Sequence, residues 1–238
     1  PSAALWGFRK KAVSLGAEYV QGRVMGMDTE GTAVRRLHLE SGDVWEAGAV
    51  INAAGPWAGE VAAMAGVDVP VAPMSRAAYF WRCAEPVEDL PLIKDDHKLF
   101  IRAEGDGFIG GAPTFEIKPG FNWDFDRGYF ADYFEKTVWP LLAQSVPKFE
   151  RIKLERTFGG HYSENLFDAN MIIGRISKEI ENFYMAAGFS GHGIMHAPAV
   201  GRALAELILD GEFKSLDLTR LGMQRVWDDT PYPELGIK

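Results

Sequence analysis

The stretch from Phe183 to Gly211, FYMAAGFSGHGIMHAPAVGRALAELILDG, does most to limit what this chain can fold into. Phe183 to Ala187 is a short apolar run of the kind that makes a buried strand. Glycines follow at 188, 191 and 193. Beyond them Val200, Leu204, Leu207 and Ile208 recur at helical spacing and mark one apolar face. Pro198 suits the first turn of that helix, where a missing N–H costs nothing, and Gly211 suits its end. The unit reads strand, glycine-rich turn, helix. Such a turn leaves backbone N–H groups unpaired at the positive end of a helix dipole. It is a place to hold an anion, or a group that becomes one.

The order of the glycines matters. A dinucleotide fingerprint reads G-x-G-x-x-G, opens a βαβ unit and has an acid about 20 residues on. Here the order is G-x-x-G-x-G, and Phe213 to Arg220 offers no clear second strand. The stretch therefore reads as the last strand and helix of a sheet, aimed at some other electron-rich group. A literal G-x-G-x-x-G does occur at Gly105, Gly107 and Gly110, after a strand at Leu99 to Ala103. Gly111, Pro113, Pro119 and Gly120 break any helix behind it. The spacing predicts a hairpin turning at Gly105-Asp106-Gly107.

Other elements follow in order. Ser2 to Leu15 reads as an amphipathic helix with Leu5, Phe8, Ala12 and Leu15 on one face and Gly16 as its stop. Tyr19 to Met27 reads as a strand. Arg35 to Glu40 and Val44 to Ala47 flank the hairpin signal Ser41-Gly42-Asp43. Ala49 to Ala53 is a buried strand; Gly55 follows, and Pro56 starts a small-residue helix through Met64 that Gly66 closes. From Val69 to Phe115 the text is short strands, Ala77 to Arg82, Leu99 to Ala103 and Phe108 to Ile109, punctuated by prolines. Asp126 to Leu142 reads as a helix carrying Phe130, Phe134, Val138 and Leu141. Lys153 to Phe158 and Met171 to Ile173 return as strands. The acidic run Glu85 to Asp89 reads as a solvated loop.

The 238 residues are enough for one large or two small domains, and a hydrophobic fraction of 47% fills an ordinary core. A net charge of −8 argues against nucleic acid or an anionic membrane as general partner. No apolar run approaches the roughly 20 residues of a membrane span. One cysteine, Cys83, leaves no intrachain disulfide and no multi-cysteine metal site. It suits a reducing compartment, so a cytoplasmic location is expected. Residue 1 is Pro and already opens a helix, so the chain is expected to begin inside a larger protein.

Several motifs carry two readings. Small residues in Asn52-Ala53-Ala54-Gly55-Pro56-Trp57 admit a ligand to the backbone, or simply pack strand on helix. His192 and His196 stand four apart, but a metal needs a third ligand; His192 suits a structural role, or that of general base. Gly159-Gly160 before His161-Tyr162, at a strand end, invites close approach by another group, or frames a packed tyrosine.

Three stretches together resemble a known family. Ala186-Ala187-Gly188-Phe189-Ser190-Gly191-His192-Gly193, with Ala197-Pro198 and Gly201, is similar to the C-terminal flavin motif of the D-amino-acid oxidase/sarcosine oxidase-type FAD-dependent oxidoreductases. Val50-Ile51-Asn52-Ala53-Ala54-Gly55-Pro56-Trp57 resembles their central motif beside FAD. Gly159-Gly160-His161-Tyr162, with Asp168 to Gly174, resembles the segment that crosses back from the substrate domain to the flavin. The resemblance covers nearly the whole chain, in order. It is nearest, through Leu218, to the group called FAD-dependent oxidoreductase domain-containing protein 1.

The resemblance implies an α/β (α+β) architecture. A partial FAD/NAD(P)-binding Rossmann-like domain with a β-meander, residues 1–69 and 157–238, would carry an inserted antiparallel-sheet substrate domain at 70–156. It implies non-covalent FAD, because Gly160 stands where sarcosine oxidases attach flavin to a cysteine. Val24 would offer a backbone group to the adenine. Ala54, Gly55, Trp57 and Gly160 would line the cofactor. Gly188, Phe189, Ser190, Gly191, His192, Gly193, Ile194 and Met195 would bring backbone N–H groups to the ring that gains charge on reduction. Tyr162 and His192 would be the catalytic side chains.

The family oxidises a C–N bond by hydride transfer to flavin, which implies a small-molecule amine substrate, secondary or tertiary, or an N-methyl amino acid. Where relatives place carboxylate-binding lysine or arginine, this chain has Tyr162, Gly191 and Met195, which argues against a simple amino acid. The family's opening phosphate-binding βαβ unit has no counterpart in the sequence. A non-catalytic binding or assembly protein, suggested by the group's link to respiratory-complex assembly, stays open beside the enzyme, as do an inactive fragment and a homo-oligomer.

Overall fold

The structure is a computed structural model describing residues 2–88, 90–95, 99–113, 117–125 and 127–235. Asp89, Phe115 and Asp126, which bound three of the expected segments, lie outside the described residues. Contacts divide the chain into two compact units. One joins the residues up to Val71 to those from Ser163 onward; the other is Ala72–Tyr162.

The first unit opens with α1 (Ser2–Ser14). Its expected apolar face is bare: no residue of the helix is buried, and Leu5 is 68% exposed. An antiparallel meander follows, β1 (Val24–Glu30), β2 (Ala33–Leu39) and β3 (Val44–Glu46). Gly31 and Gly42 supply the positive φ of its two turns. The strand expected from Tyr19 starts only at Val24, because Val24 pairs with Leu39 and β2 ends there.

The unit's second sheet has the order β10 (Ile172–Arg175), β11 (Phe183–Ala187), β4 (Val50–Asn52). β10 and β11 are antiparallel; β11 and β4 are parallel, with Phe183 opposite Val50 and Met185 opposite Asn52. β4 is buried on one face only, since Ile51 is exposed between Val50 and Asn52. A 3₁₀ turn (Gly55–Trp57) and α2 (Ala58–Ala63) follow β4. The long α5 (Gly193–Asp210) follows β11 and lays Val200 and Leu204 on Met171 and Ile173. It ends at Gly211, whose φ of 80° is left-handed. Val34, Val50, Ala58, Ala62, Ile172, Phe183 and Met185 form the larger core. Here the hydrophobic pattern and the parallel pairing agree with a partial Rossmann-like layer beside a meander.

The second unit is a sheet of order β6 (Ile93–Lys94), β7 (Phe100–Glu104), β8 (Gly107–Gly111), β5 (Val71–Cys83), β9 (Ile152–Asn165). Glu104 pairs with Gly107 across Gly105-Asp106, so the literal fingerprint is a hairpin. A Cβ on Gly107 would run into the Trp81 carbonyl, and one on Gly110 into that of Phe100. These glycines serve strand packing.

The expected single helix is three pieces: α3 (Tyr129–Tyr133), a π turn (Phe134–Val138) and α4 (Trp139–Ser145). Pro140 has no N–H to give to the carbonyl four residues back, and the π turn lies where that bond would form. The wider turn also moves the buried face from the expected Leu141 to Leu142, which packs with Phe134 and Val138 on Tyr79, Trp81 and Phe149.

Candidate functional site

Parallel strands β4 and β11 end side by side, and each runs out into a glycine-led turn and a helix. Ligands of open parallel sheets bind at such carboxyl ends. At the end of β4 the buried Asn52 shapes the turn. Its Nδ2 donates to the Ala58 carbonyl at 2.8 Å, and its Oδ1 accepts the Ala54 N–H at 3.2 Å. Gly55 (φ 57°) has open space where a side chain would be, whereas a Cβ on Gly59 would meet the Val71 carbonyl at 2.6 Å. Gly59, just beyond the small-residue run, packs helix on strand, and Gly55 within it is open among the described residues. Ala54 is half-buried and Trp57 is exposed.

At the end of β11 the turn has Gly188 (φ 76°), Ser190 (φ 47°) and Gly191 (φ 96°) in left-handed backbone. Ser163 pins it from beneath. Its Oγ accepts the Gly188 N–H and its carbonyl accepts the Ser190 N–H, both at 2.9 Å. Phe189 forms a bridge with Glu164. His192 is the residue before α5; its N–H goes to the Phe189 carbonyl, and the Met195 N–H returns to His192. Among the described residues no side chain caps the helix. The Gly193 and Ile194 N–H groups therefore open α5 without an intrahelical acceptor. Ile194 and Met195 stand exposed at 52% and 67%.

Helix α5 begins earlier than the sequence implied, so Pro198 lies in its second turn. Its absent N–H leaves the Ile194 carbonyl without the usual donor. The His192 and His196 rings are 6.3 Å apart, and among the described residues no cluster of three His, Cys, Asp or Glu side chains is placed to hold a metal.

Val24 begins β1 and is half-buried; it shares the first unit with these turns but belongs to the meander. Gly160 and Tyr162 lie in the second unit, on β9. They are not at a strand end: β9 continues to Asn165, which brings Ser163 to the turn. The two glycines differ. The Phe125 ring covers Gly159 where a Cβ would be, whereas among the described residues a Cβ on Gly160 meets nothing within 4 Å. His161 is structural: it is packed among Phe121, Trp123 and Phe125, and its Nε2 accepts the Asn122 N–H at 3.0 Å. Tyr162 is half-exposed, with the Arg76 guanidinium 5.7 Å from its ring centre. Cys83 donates to the Lys148 carbonyl in the second unit.

The sequence profile described as FAD dependent oxidoreductase matches residues 1–207. The chain belongs to this FAD-dependent oxidoreductase family. FAD-dependent oxidoreductase domain-containing protein 1 of Xenopus laevis is 37% identical over 272 residues, covering 100% of this chain and 53% of that protein. Sarcosine dehydrogenase of Mus musculus is 28% identical, covering 89% of this chain and 24% of its own. Among solved structures, L-proline dehydrogenase of P. horikoshii has a TM-score of 0.83 at 29% identity, over 96% of this chain and 60% of that one. Glycine oxidase of Geobacillus kaustophilus shares the fold, with a TM-score of 0.70 at 22% identity over 90% of this chain and 55% of that one. The chain spans about half the length of the domain-containing protein 1 relatives.

FAD is this family's cofactor, and the residues present fit it. The mouth of α5 is uncapped, and Gly55 leaves room at the neighbouring strand end. Gly160 offers no thiol, so no covalent link forms there. The sequence reading missed Asn52 and Ser163 as shapers of the two turns. An Asn two residues before a turn amide was a readable sign; the reach of Ser163 from β9 to the turn after β11 had none.

Proposed function

We propose that this chain is part of a longer flavoenzyme that oxidises the C–N bond of a secondary or tertiary amine, or of an N-methyl amino acid. One observation carries the reading: two parallel strands deliver an open glycine and an uncapped helix mouth to the same sheet end. The names of related proteins support the substrate class. Sarcosine, dimethylglycine, 4-methylaminobutanoate and proline are all secondary or tertiary amines.

In this reading Gly188 to Met195, with Ala54, Gly55, Trp57 and Gly160, hold the cofactor, and Val24 offers backbone to its adenine end. Bound FAD supplies the acceptor for the hydride that leaves the carbon beside the amine nitrogen. The Gly193 and Ile194 N–H groups and the α5 dipole favour negative charge at the mouth. Tyr162 is the substrate-side group, its phenol Oη holding a hydrogen bond. The His192 imidazole, on the residue that leads into α5, is the proton carrier.

The test is anaerobic. Full-length protein should be yellow and should bleach when an N-methyl amino acid or a tertiary amine is added without oxygen. Colour that answers no amine would favour a second reading, a non-catalytic binding or assembly protein built on the same fold. The lack of a cationic side chain at 162, 191 and 195 leans towards that reading.

A further inference from the structure

In the first unit the Gly188–Gly191 turn is held in a shape its residues do not favour. Ser190 (φ 47°) and Ala169 (φ 61°) are both left-handed without being glycine. A hydrogen bond joins them, from Ser190 Oγ to the Ala169 carbonyl at 3.2 Å. Such residues persist only where their surroundings over-determine them.

Those surroundings lead to a buried ion pair outside the turn. The Asp168 side chain is fully buried and that of Arg225 is 6% exposed. Arg225 donates from Nε to Asp168 Oδ2 at 2.7 Å and from Nη2 to Oδ1 at 3.1 Å. Its remaining donors reach the carbonyls of Gly222, Asn170 and Met171. Asp168 also accepts Asn165 Nδ2 at 2.8 Å and the backbone N–H groups of Asn170 and Tyr232. Asn165 in turn lies under Gly188, its Cβ 3.1 Å from where a Cβ there would be. One line of contact therefore runs Arg225–Asp168–Asn165–Gly188, and another runs Asp168–Ala169–Ser190.

A buried ion pair is a poor source of stability, because an apolar pair of similar volume often does as well. It is better suited to fixing one geometry: the rigid fork of an arginine matches few arrangements of acceptors. We propose that Arg225 and Asp168 are positioning residues which lock the Gly188–Gly191 turn, so that the segment after α5 controls the shape of the α5 mouth. The consequence for FAD rests on the reading of that mouth given above; the lock itself does not.

The experiment uses full-length protein, wild type, Arg225→Met, and the apolar double variant Asp168→Leu with Arg225→Met. Amide hydrogen exchange at residues 188–191, FAD affinity and thermal unfolding are measured on each. The double variant should regain the melting temperature lost by Arg225→Met. Its turn should still exchange about tenfold faster than wild type, and FAD should bind about tenfold more weakly. Wild-type exchange at 188–191 in the double variant would overturn the proposal. Faster exchange with unchanged FAD affinity would uphold the lock and count against the flavin reading of the mouth. Should the double variant not fold, the neutral polar pair Asp168→Asn with Arg225→Gln, which also removes both charges, gives the same comparison.

Discussion

At the scale of single residues, adjacent glycines on β9 have opposite surroundings. Gly159→Ala should destabilise the second unit by about 1–3 kcal/mol in denaturant unfolding, since the Phe125 ring must move. Gly160→Ala should leave stability within about 0.5 kcal/mol, because its side faces open space among the described residues, and on the proposed reading it should weaken FAD binding. In the sequence the two were one doublet at a supposed strand end. Nothing local announces that Phe125, more than thirty residues earlier, lies on the first and not the second.

Asp168 gives a pH test at the same scale. Burial alone would raise its pKa. Hydrogen bonds from Arg225, Tyr232 and Asn170, with the charge of Arg225, outweigh burial and hold it below the ordinary 3.8. A lowered carboxylate adds stability above its unfolded pKa and loses it as pH falls through the folded one. Acid unfolding of the wild type should therefore steepen below about pH 4, and Asp168→Asn should flatten that limb while lowering stability at neutral pH. Arg225→Met should cost about 3–5 kcal/mol at pH 7 by leaving a buried carboxylate unpaired.

Among the elements, the strand–turn–helix at 183–211 was legible because its apolar run, glycines and helical spacing all agree. The hairpins at Gly42 and Gly105 were legible from turn chemistry. Proline was misread twice for one reason: its position relative to a helix start is fixed by hydrogen bonds the sequence does not print. Pro140 breaks the expected helix with a π turn, and Pro198 lies inside α5 instead of at its edge. Pro198→Ala should restore a donor to the Ile194 carbonyl and raise the unit's stability by about 1–3 kcal/mol in urea unfolding. The length of β9 was missed because its glycines look like an ending, whereas pairing within a long sheet carries the strand through them.

On the scale of the whole molecule, the family and the mixed fold were readable in order along the chain, since three separated motifs agree. The brace behind the turn was not, because Asp168 and Arg225 are 57 positions apart and their types alone suggest surface charges. The bare apolar side of α1 was equally hidden: periodicity marks a face as apolar but does not say what covers it.

On the proposed reading the uncapped α5 mouth beside β4, and not the glycine hairpin of the second unit, meets FAD. Amide hydrogen exchange on full-length protein with and without FAD tests it most directly. FAD should protect residues 188–195 and 53–57 and leave 105–110 unchanged. Protection of 105–110, with 188–195 exchanging as before, would contradict it.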